Sequence, residues 1–389
     1  MKTITVLTAT RAEYGLLSPI IKALKKCPEF CVKVVVTGAH LSPEFGLTYK
    51  EIEKDGIEID KKIEILLSAD TPAAVSKSMG LAMMGFADYF AESRPDALLV
   101  LGDRYESLAV CCTAMNERIP IIHLYGGETT EGAIDEAVRH AITKLSYLHL
   151  TSTEEYRKRV IQLGENPKRI YTVGSVGIEN VLNASLLSKE KLEEEISFKL
   201  DCAYAVVTFH PVTLEGSSAE KQCKELLSAF DRHPEFKYII TKANADANGR
   251  IINRLTEEYA RTHNNVRVYD SLGMKRYLSA LKYADMVVGN SSSGLLEVPS
   301  FRIPTINIGD RQRGRLRATS VLDVEPNADK IALAMSRVLE ADFQKVCQNT
   351  INPYGDGNTS EKVVAAIKDM FSDGIEIKKK FYDVEFVEK

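Results

Sequence analysis

The sequence contains no tryptophan and only seven cysteines in 389 residues, none of them in a C-x-x-C pair. An odd number of cysteines in a chain of this length is not typical of a small disulfide-stapled secreted domain, so we expect reduced thiols in a cytoplasmic protein. Cys27 and Cys31 have a spacing seen in metal sites, but no second pair with zinc spacing follows, and no metal is predicted. Aromatic residues, at 7%, are too few to suggest a surface on which nucleic-acid bases stack.

Long apolar runs are missing as well. No run approaches the roughly 18 residues that a membrane-spanning helix needs. The N-terminal stretch MKTITVLTATR reaches Arg11 before an apolar signal-peptide core forms, so no membrane association is expected. With 50 basic and 54 acidic residues, the net charge of −4 also argues against a nucleic acid as the main partner.

The chain instead has an ordinary globular composition, with 44% hydrophobic and 27% charged residues. Short, continuously apolar runs alternate with longer helical patterns, which predicts parallel sheets covered by helices on both faces. The predicted strands are Thr3–Thr8, Cys31–Val36, Ala97–Leu101, Pro120–Leu124 and Leu148–Thr151, followed by Tyr204–Phe209, Lys237–Thr241, Val266–Tyr269, Met286–Gly289, Thr305–Ile308 and Val321–Val324.

The strand–helix pattern restarts near residue 180, which predicts two domains. Residues 1–180 form an N-terminal Rossmann-like domain and residues 181–360 a C-terminal Rossmann-like, nucleotide-binding domain. Residues 361–389 form a helix and tail that pack back, we expect, on the N-terminal domain. The highly charged segment 182–200 predicts a solvated linker helix. In such domains ligands bind at the carboxyl ends of the strands.

In the first domain, polar residues follow three predicted strands. Arg11 lies where a strand becomes a helix and suits an anion, although a solvent-facing arginine is the alternative. Asp103, with Arg104 beside it, is either a cleft carboxylate or a helix N-cap. Glu128 follows two glycines after the next strand.

A helix then begins near Asp135, and Asp135 shares one face of it with Arg139. Together with Asp103, Glu128 and His123, these groups match the needs of proton transfer at carbon. The alternative is a simple Asp135–Arg139 ion pair beside a capping loop.

In the second domain, His210 ends a strand before a proline, and Asn244 follows the next strand. The segment G-N-S-S-S-G, residues 289–294, opens a helix and predicts a phosphate site in which Ser291 and Ser292 contribute donors. It matches neither a Walker A loop nor G-x-G-x-x-G, and a serine-rich capping turn is the alternative. Glu297 is placed to accept hydrogen bonds from ribose hydroxyls. The four arginines within residues 311–317 suit a diphosphate.

Seven motifs occur in one order along the chain: T-x-T-R-A-E-Y-G, V-L-G-D-R-Y-E, H-L-Y-G-G-E, D-E-A-V-R-H-A-I-T-K, F-H-P-V-T, G-N-S-S-S-G-L-L-E-V-P and N-I-G-D-R-Q-R-G-R. Nearly end to end, the sequence resembles the hydrolysing UDP-N-acetylglucosamine 2-epimerases of bacterial sialic-acid synthesis. The resemblance implies a GT-B-like α/β fold, with two doubly wound Rossmann-like domains facing across a cleft.

The implied reaction converts UDP-GlcNAc and water into N-acetylmannosamine and UDP. UDP leaves by anti elimination, and the 2-acetamidoglucal intermediate is then hydrated. The resemblance implies no metal or other cofactor, and a homodimer or homotetramer.

The resemblance also assigns roles to residues. It makes Asp103 and Asp135 acid/base candidates and places His210 near the diphosphate. Arg104, Arg139 and Glu128 fit motif positions, as does Arg313 in the arginine-rich loop. The remaining assignments are nucleotide-phosphate contacts for Arg11, Ser291, Ser292 and Arg311, a ribose contact for Glu297 and a polar contact for Asn244.

One position departs from the family pattern. Many members read H-I-E-G-G-E, with a glutamate implicated in catalysis where this chain has Tyr125. Either Glu128 or Tyr125 then carries the second proton-transfer role, and the sugar is open to change. A UDP-diacetylbacillosamine-type sugar of legionaminic-acid synthesis is one alternative. A non-hydrolysing epimerase, a GT-B glycosyltransferase and a non-catalytic nucleotide-sugar sensor are others, although the G-D-R and D-R-Q-R-G-R forms favour the hydrolysing branch.

Overall fold

The computed structural model describes residues 1–67, 71–129, 134–211, 218–243 and 249–385. The chain divides into two compact units. Unit 1 contains Met1–Asn180 and Tyr354–Lys389, and unit 2 contains Val181–Pro353. Each unit holds one parallel sheet between helices, so the predicted α/β class is confirmed. In the described ranges, no helix has both the length and the apolarity needed to cross a membrane.

Unit 1 is built on seven parallel strands in the order β3-β2-β1-β4-β5-β6-β7. The order reverses between β1 and β4, which is where open α/β sheets bind ligands. The strands are β1 (Lys2–Thr8), β2 (Phe30–Thr37), β3 (Lys61–Ile63), β4 (Ala97–Leu101), β5 (Ile121–Leu124), β6 (Leu148–Thr151) and β7 (Ile170–Thr172). The helices are α1 (Arg11–Lys25), α2 (Tyr49–Lys54), α3 (Pro72–Ser93), α4 (Tyr105–Asn116), α5 (Ile134–Leu145), α6 (Glu154–Gln162) and α7 (Val176–Leu182).

The C-terminal helix α15 (Thr359–Ser372) also belongs to unit 1. Its buried Val363 and Ile367 pack in the same core cluster as Leu17 and Ile21 of α1. A helix that buries one apolar stripe in this way is held by packing rather than by its own propensity.

The chain rejoins unit 1 at Tyr354, ahead of the boundary predicted at residue 360. The N–H of Ser175 donates to the carbonyl of Tyr354 at 2.6 Å, and the Tyr354 side chain is buried. The N–H of Ser360 donates to Glu179 at 2.7 Å. These contacts hold Tyr354 and the first turn of α15 on unit 1.

After α15 the chain runs back across unit 1 as a strap, residues 375–382. The Lys379 ammonium donates to the carbonyls of Lys144 and Ser146, at 2.7 and 2.8 Å, at the C-terminal end of α5. It also pairs with the buried carboxylate of Glu165 at 2.7 Å. The strap thus ties the C-terminal end of α5 to the loop after α6.

Unit 2 is built on six parallel strands in the order β10-β9-β8-β11-β12-β13, which reverses between β8 and β11. The strands are β8 (Tyr204–Thr208), β9 (Lys237–Thr241), β10 (Val266–Tyr269), β11 (Met286–Gly289), β12 (Thr305–Ile308) and β13 (Val321–Val324). The helices are α8 (Lys189–Ile196), α9 (Ser218–Asp231), α10 (Gly249–Thr262), α11 (Gly273–Tyr283), α12 (Ser293–Leu296), α13 (Ala328–Arg337) and α14 (Ala341–Gln348).

The prediction of a solvated linker helix over 182–200 is wrong. The helix there is α8, whose Leu192 and Ile196 are buried in a cluster with Leu278 and Leu281 of α11. These two residues lie four positions apart and form an apolar stripe, while the charged residues occupy the other face. The many charged residues of this segment obscured its apolar stripe, and α8 is an amphipathic helix that packs in the core of unit 2.

Candidate active site

Unit 1 gathers its polar loops at the carboxyl edge of the sheet, where β1, β4, β5 and β6 end. The loop after β5 passes close to α6: at Gly127, where φ is +81°, an added Cβ would lie 2.3 Å from the carbonyl oxygen of Tyr156. Only glycine fits this approach. The Arg159 guanidinium then donates to the Gly127 carbonyl at 2.6 Å and fixes the loop.

Arg139 of α5 connects the loops at this edge through several contacts. Its guanidinium is buried and forms an ion pair with the Asp103 carboxylate, which follows β4. It also donates to Glu136 at 3.2 Å and to the carbonyl of Glu128 at 2.8 Å. One cation therefore fixes the loops after β4 and β5 relative to α5, and the Asp103 side chain remains 27% exposed and open to a ligand.

The loop that carries Glu128 and the loop that carries Asp103 both contact Arg139. The Glu128 carboxylate accepts a hydrogen bond from the Ser152 hydroxyl, which follows β6, at 2.7 Å. Ser152 is a residue that the sequence reasoning missed, although its position directly after a strand is the same signal that identified Asp103.

His123 is a buried residue that contacts the turn before Asp103. The imidazole is fully buried, its Nε2 lies 2.7 Å from the carbonyl oxygen of Gly102, and burial lowers its pKa to about 3. A neutral ring donates from Nε2 to that carbonyl and holds the turn that carries Asp103. His123 is therefore a buried support and does not reach the edge as an acid or base.

Tyr125 has a left-handed backbone, with φ +69°, and a phenol whose hydrogen bonds are used within the protein. Its hydroxyl accepts from the N–H of Val176 at 2.9 Å and lies 3.2 Å from the Ser175 hydroxyl. Burial raises its pKa to about 12. A phenol of this pKa is a poor base or acid near neutral pH.

The other predicted residues of unit 1 take separate positions. Asp135 is exposed in the first turn of α5. Arg11, the first residue of α1, is 72% exposed and pairs with Glu51 at 3.0 Å. Arg104 donates to the fully buried Glu106 at 2.6 Å. Among the predicted residues of unit 1, Arg139 contacts both the Asp103 carboxylate and the main-chain carbonyl of Glu128.

In unit 2, the loops after β8, β11 and β12 meet at Asn290. The N–H of His210 donates to the Asn290 side-chain oxygen at 2.7 Å, and the Asn290 amide donates to the His210 carbonyl at 2.8 Å. Arg311 and Gln312 both donate to the Asn290 carbonyl, at 3.1 and 2.9 Å. Asn290 and Gln312 lie within two of the motifs, but their role in joining these loops was missed, because their partners lie far away in the chain.

Ser291 and Ser292 are half-buried and lead into the short helix α12. No capping hydrogen bond comes from the Ser292 side chain, so its hydroxyl is not used to start the helix. Glu297 follows α12, and burial raises its pKa. Its Oε2 atom is buried and makes no hydrogen bond with the described residues.

The last two predicted residues of unit 2 are Asn244 and Arg313. Asn244 lies outside the described residues. Arg313 is exposed, and Arg317 of the same loop pairs with Asp323 at 2.6 Å. Within the described part of the chain, no group of three or more His, Cys, Asp or Glu side chains is arranged to hold a metal.

The family model for UDP-N-acetylglucosamine 2-epimerase matches residues 22–368. The chain belongs to the UDP-N-acetylglucosamine 2-epimerase family. A Campylobacter jejuni relative, named GDP/UDP-N,N'-diacetylbacillosamine 2-epimerase (hydrolyzing), is 45% identical over 83% of this chain and 84% of its own. Polysialic acid biosynthesis protein P7 of Escherichia coli is 40% identical over 99% of this chain and 98% of its own.

Solved members of the 2-epimerase family share the fold. The crystal structure of UDP-GlcNAc 2-epimerase from Neisseria meningitidis, bound to UDP-GlcNAc, has a TM-score of 0.76 and covers 95% of this chain and 100% of its own, at 19% identity. This likeness establishes the predicted GT-B-like class of two parallel-sheet domains. Identity at this level says nothing about the ligand of the present chain.

Proposed function

We propose that this protein is a hydrolysing UDP-GlcNAc 2-epimerase. It converts UDP-GlcNAc and water into N-acetylmannosamine and UDP, through elimination of UDP and hydration of a 2-acetamidoglucal. The observation that carries the proposal is the Asp103 carboxylate, held by the buried Arg139 at the carboxyl edge of the sheet and still open to a ligand. A fixed, partly dry carboxylate is what removal of a weakly acidic C2 proton requires.

The second proton-transfer role goes to Glu128 rather than to Tyr125. The Tyr125 hydroxyl is engaged with Val176 and Ser175, and its pKa is about 12. The Glu128 carboxylate is held by Ser152, and the Glu128 main-chain carbonyl binds Arg139, the partner of Asp103. Asp135 remains an acid/base candidate, placed in the first turn of the helix that carries Arg139.

Unit 2 supplies the groups that accept the leaving UDP. Donors aimed at the developing negative charge on the diphosphate lower the barrier to elimination. His210, Arg311 and the hydroxyls of Ser291 and Ser292 take this role, assisted by Arg11, Arg104 and Arg313. Asn244 adds a polar contact. Glu297, with a buried oxygen lacking a hydrogen-bond partner among the described residues, accepts from the ribose.

A second candidate substrate is UDP-N,N'-diacetylbacillosamine. It is favoured by the 45% identity to the Campylobacter jejuni relative named for that sugar, and by Tyr125 at a family glutamate position. The two sugars differ at C4 and C6 and share the same chemistry at C1 and C2. The same catalytic groups therefore serve both candidates.

The test is proton NMR of the purified protein with each UDP-sugar in D2O. Release of UDP and of N-acetylmannosamine carrying deuterium at C2 supports the first proposal, and turnover of the diacetylated sugar alone supports the second. UDP-N-acetylmannosamine as product contradicts hydrolysis. Stoichiometric binding without turnover of either sugar contradicts both and points to a transferase or a sensor.

A further inference from the structure

Asn290 lies where β11 passes beyond the sheet. The preceding Gly289 has φ +141°, and an added Cβ there would lie 2.0 Å from the carbonyl oxygen of Thr208. The chain can therefore follow β8 this closely only with glycine. The N–H of Asn290 continues the pairing and donates to Thr208 at 3.1 Å, which brings its side chain beside His210.

The Asn290 side chain binds the main chain of His210 on both sides. Its oxygen accepts from the His210 N–H and its nitrogen donates to the His210 carbonyl. Pro211 follows, and a residue before proline is confined to extended backbone. Two hydrogen bonds and a proline thus fix the point from which the imidazole projects.

The main chain of Asn290 binds a third loop. Its carbonyl oxygen accepts from the Arg311 guanidinium and from the buried amide of Gln312. Asn290, only 1% exposed, therefore connects the loops after β8, β11 and β12. The serines of the proposed phosphate loop follow it directly in the chain.

We propose that Asn290 is the positioning residue of the UDP-binding half of the site. It sets the relative placement of His210, Arg311 and the serine loop, so that all three meet the diphosphate together. This inference rests on the proposed function. A neutral amide suits the task because it donates and accepts at once, as no carboxylate or hydrophobic side chain of its shape can do.

The first test compares Asn290→Ala with Asn307→Ala. Asn307 lies on the neighbouring strand β12, is equally buried at 1% exposed and donates to Asp323 at 2.7 Å. Both variants lose a buried amide, but only Asn290 contacts His210. We measure kcat and KM for the UDP-sugar, the Kd for UDP by calorimetry, and the Tm.

For Asn290→Ala we expect UDP binding to weaken about tenfold and kcat to fall about 10²-fold, the loss that a displacement of about 1 Å in catalytic groups produces. For Asn307→Ala we expect a similar loss in Tm, with both constants within about twofold of the unaltered protein. Equal constants in the two variants would overturn the proposal, because a merely structural amide lowers Tm alone.

Asn290→Asp provides the second test and is used alone if the alanine variant does not fold. It keeps the size of the side chain and the acceptor for the His210 N–H, but sets an oxygen against the His210 carbonyl. We expect Kd and kcat to change as in Asn290→Ala, and values like those of the unaltered protein would overturn the proposal. If the unaltered protein turns over no UDP-sugar while Asn290→Asp still weakens UDP binding, Asn290 keeps its role and the epimerase proposal fails.

Discussion

The two units hold their polar edges in different ways. In unit 1 the key contacts are ionic: Arg139 is buried against Asp103 and Glu136, and Arg104 lies on Glu106. In unit 2 the corresponding position is neutral, since Asn290 and Gln312 are buried amides. The same kind of sheet edge is fixed by charges in one unit and by dipoles in the other.

The difference follows from what each edge is proposed to do. Carboxylates that move protons need a cation nearby to orient them. In unit 1 that cation is Arg139, which belongs to the same unit. UDP brings its own negative charge. The amides of Asn290 and Gln312 add no negative charge beside Arg311, whereas a carboxylate in the place of Asn290 would compete with the diphosphate for the arginine.

The largest expected effect comes from Arg139→Met, which leaves two carboxylates without their buried cation. We expect the free energy of unfolding to fall by about 3–5 kcal/mol and turnover to be lost. The matched change in unit 2, Gln312→Met, removes one neutral donor and should lower the unfolding free energy by about 1 kcal/mol. Urea unfolding of both variants measures the difference, and equal losses would break the comparison between the two units.

Asp103→Asn is expected to reduce kcat by about 10²–10⁴, the usual range for loss of a general acid or base. UDP affinity should stay unchanged, because Asp103 is not among the groups assigned to the diphosphate. Asp323→Asn, the same change at a carboxylate that binds Asn307 and Arg317, is the control. Loss of UDP binding with unchanged turnover in Asp103→Asn would move Asp103 out of the acid/base role.

An acid titration should expose the ionic character of unit 1 through Glu165. Burial alone would raise the pKa of Glu165, but His149, Lys144 and Lys379 together lower it to about 2. Because the folded pKa lies below the ordinary value of 4.5, the stabilisation is present above pH 4.5 and is lost as pH falls to about 2. Between pH 4.5 and pH 2, the unaltered protein should lose about 3 kcal/mol of unfolding free energy that Glu165→Gln does not lose. The measurement is the unfolding free energy of both proteins against pH. Parallel curves for the two proteins would contradict this.

An effect of similar size and opposite pH dependence is expected at Glu13. Burial raises its pKa to about 7, so its contribution to stability is complete below pH 4.5 and is lost as pH rises through 7. Above pH 7, Glu13→Gln should be more stable than the unaltered protein by about 3 kcal/mol, because it avoids a buried charge while keeping an acceptor for Ala9 and Thr10. Thermal unfolding at pH 4 and pH 8 measures this, and a uniform shift at both values would count against it.

Much of the fold was predictable because strands buried on both faces read as apolar runs, as every residue of β4 illustrates. The two strands that were missed, β3 and β7, are three residues long and form the edges of the unit 1 sheet. They are partly exposed and carry no apolar run. Edge strands of this kind are defined by their neighbour, which a local pattern does not contain.

The candidate site shows the same limit. Asp103 was predictable because it directly follows a buried strand. Its pairing with Arg139 was not, since helical spacing pointed to Asp135 and the two partners lie 36 residues apart. Asn290 was hidden for the same reason, because the His210 that it holds lies 80 residues away in the chain.

The return of residues 354–385 to unit 1 has a consequence for how the chain is made. Unit 2 is one continuous stretch, whereas unit 1 lacks α15 and the strap until the 173 residues of Val181–Pro353 have been synthesised. At about 5–20 residues per second, that interval lasts roughly 10–35 s on the ribosome. During that time the apolar face of α1 is not yet covered by α15. Unit 1 therefore begins synthesis first and completes its core last.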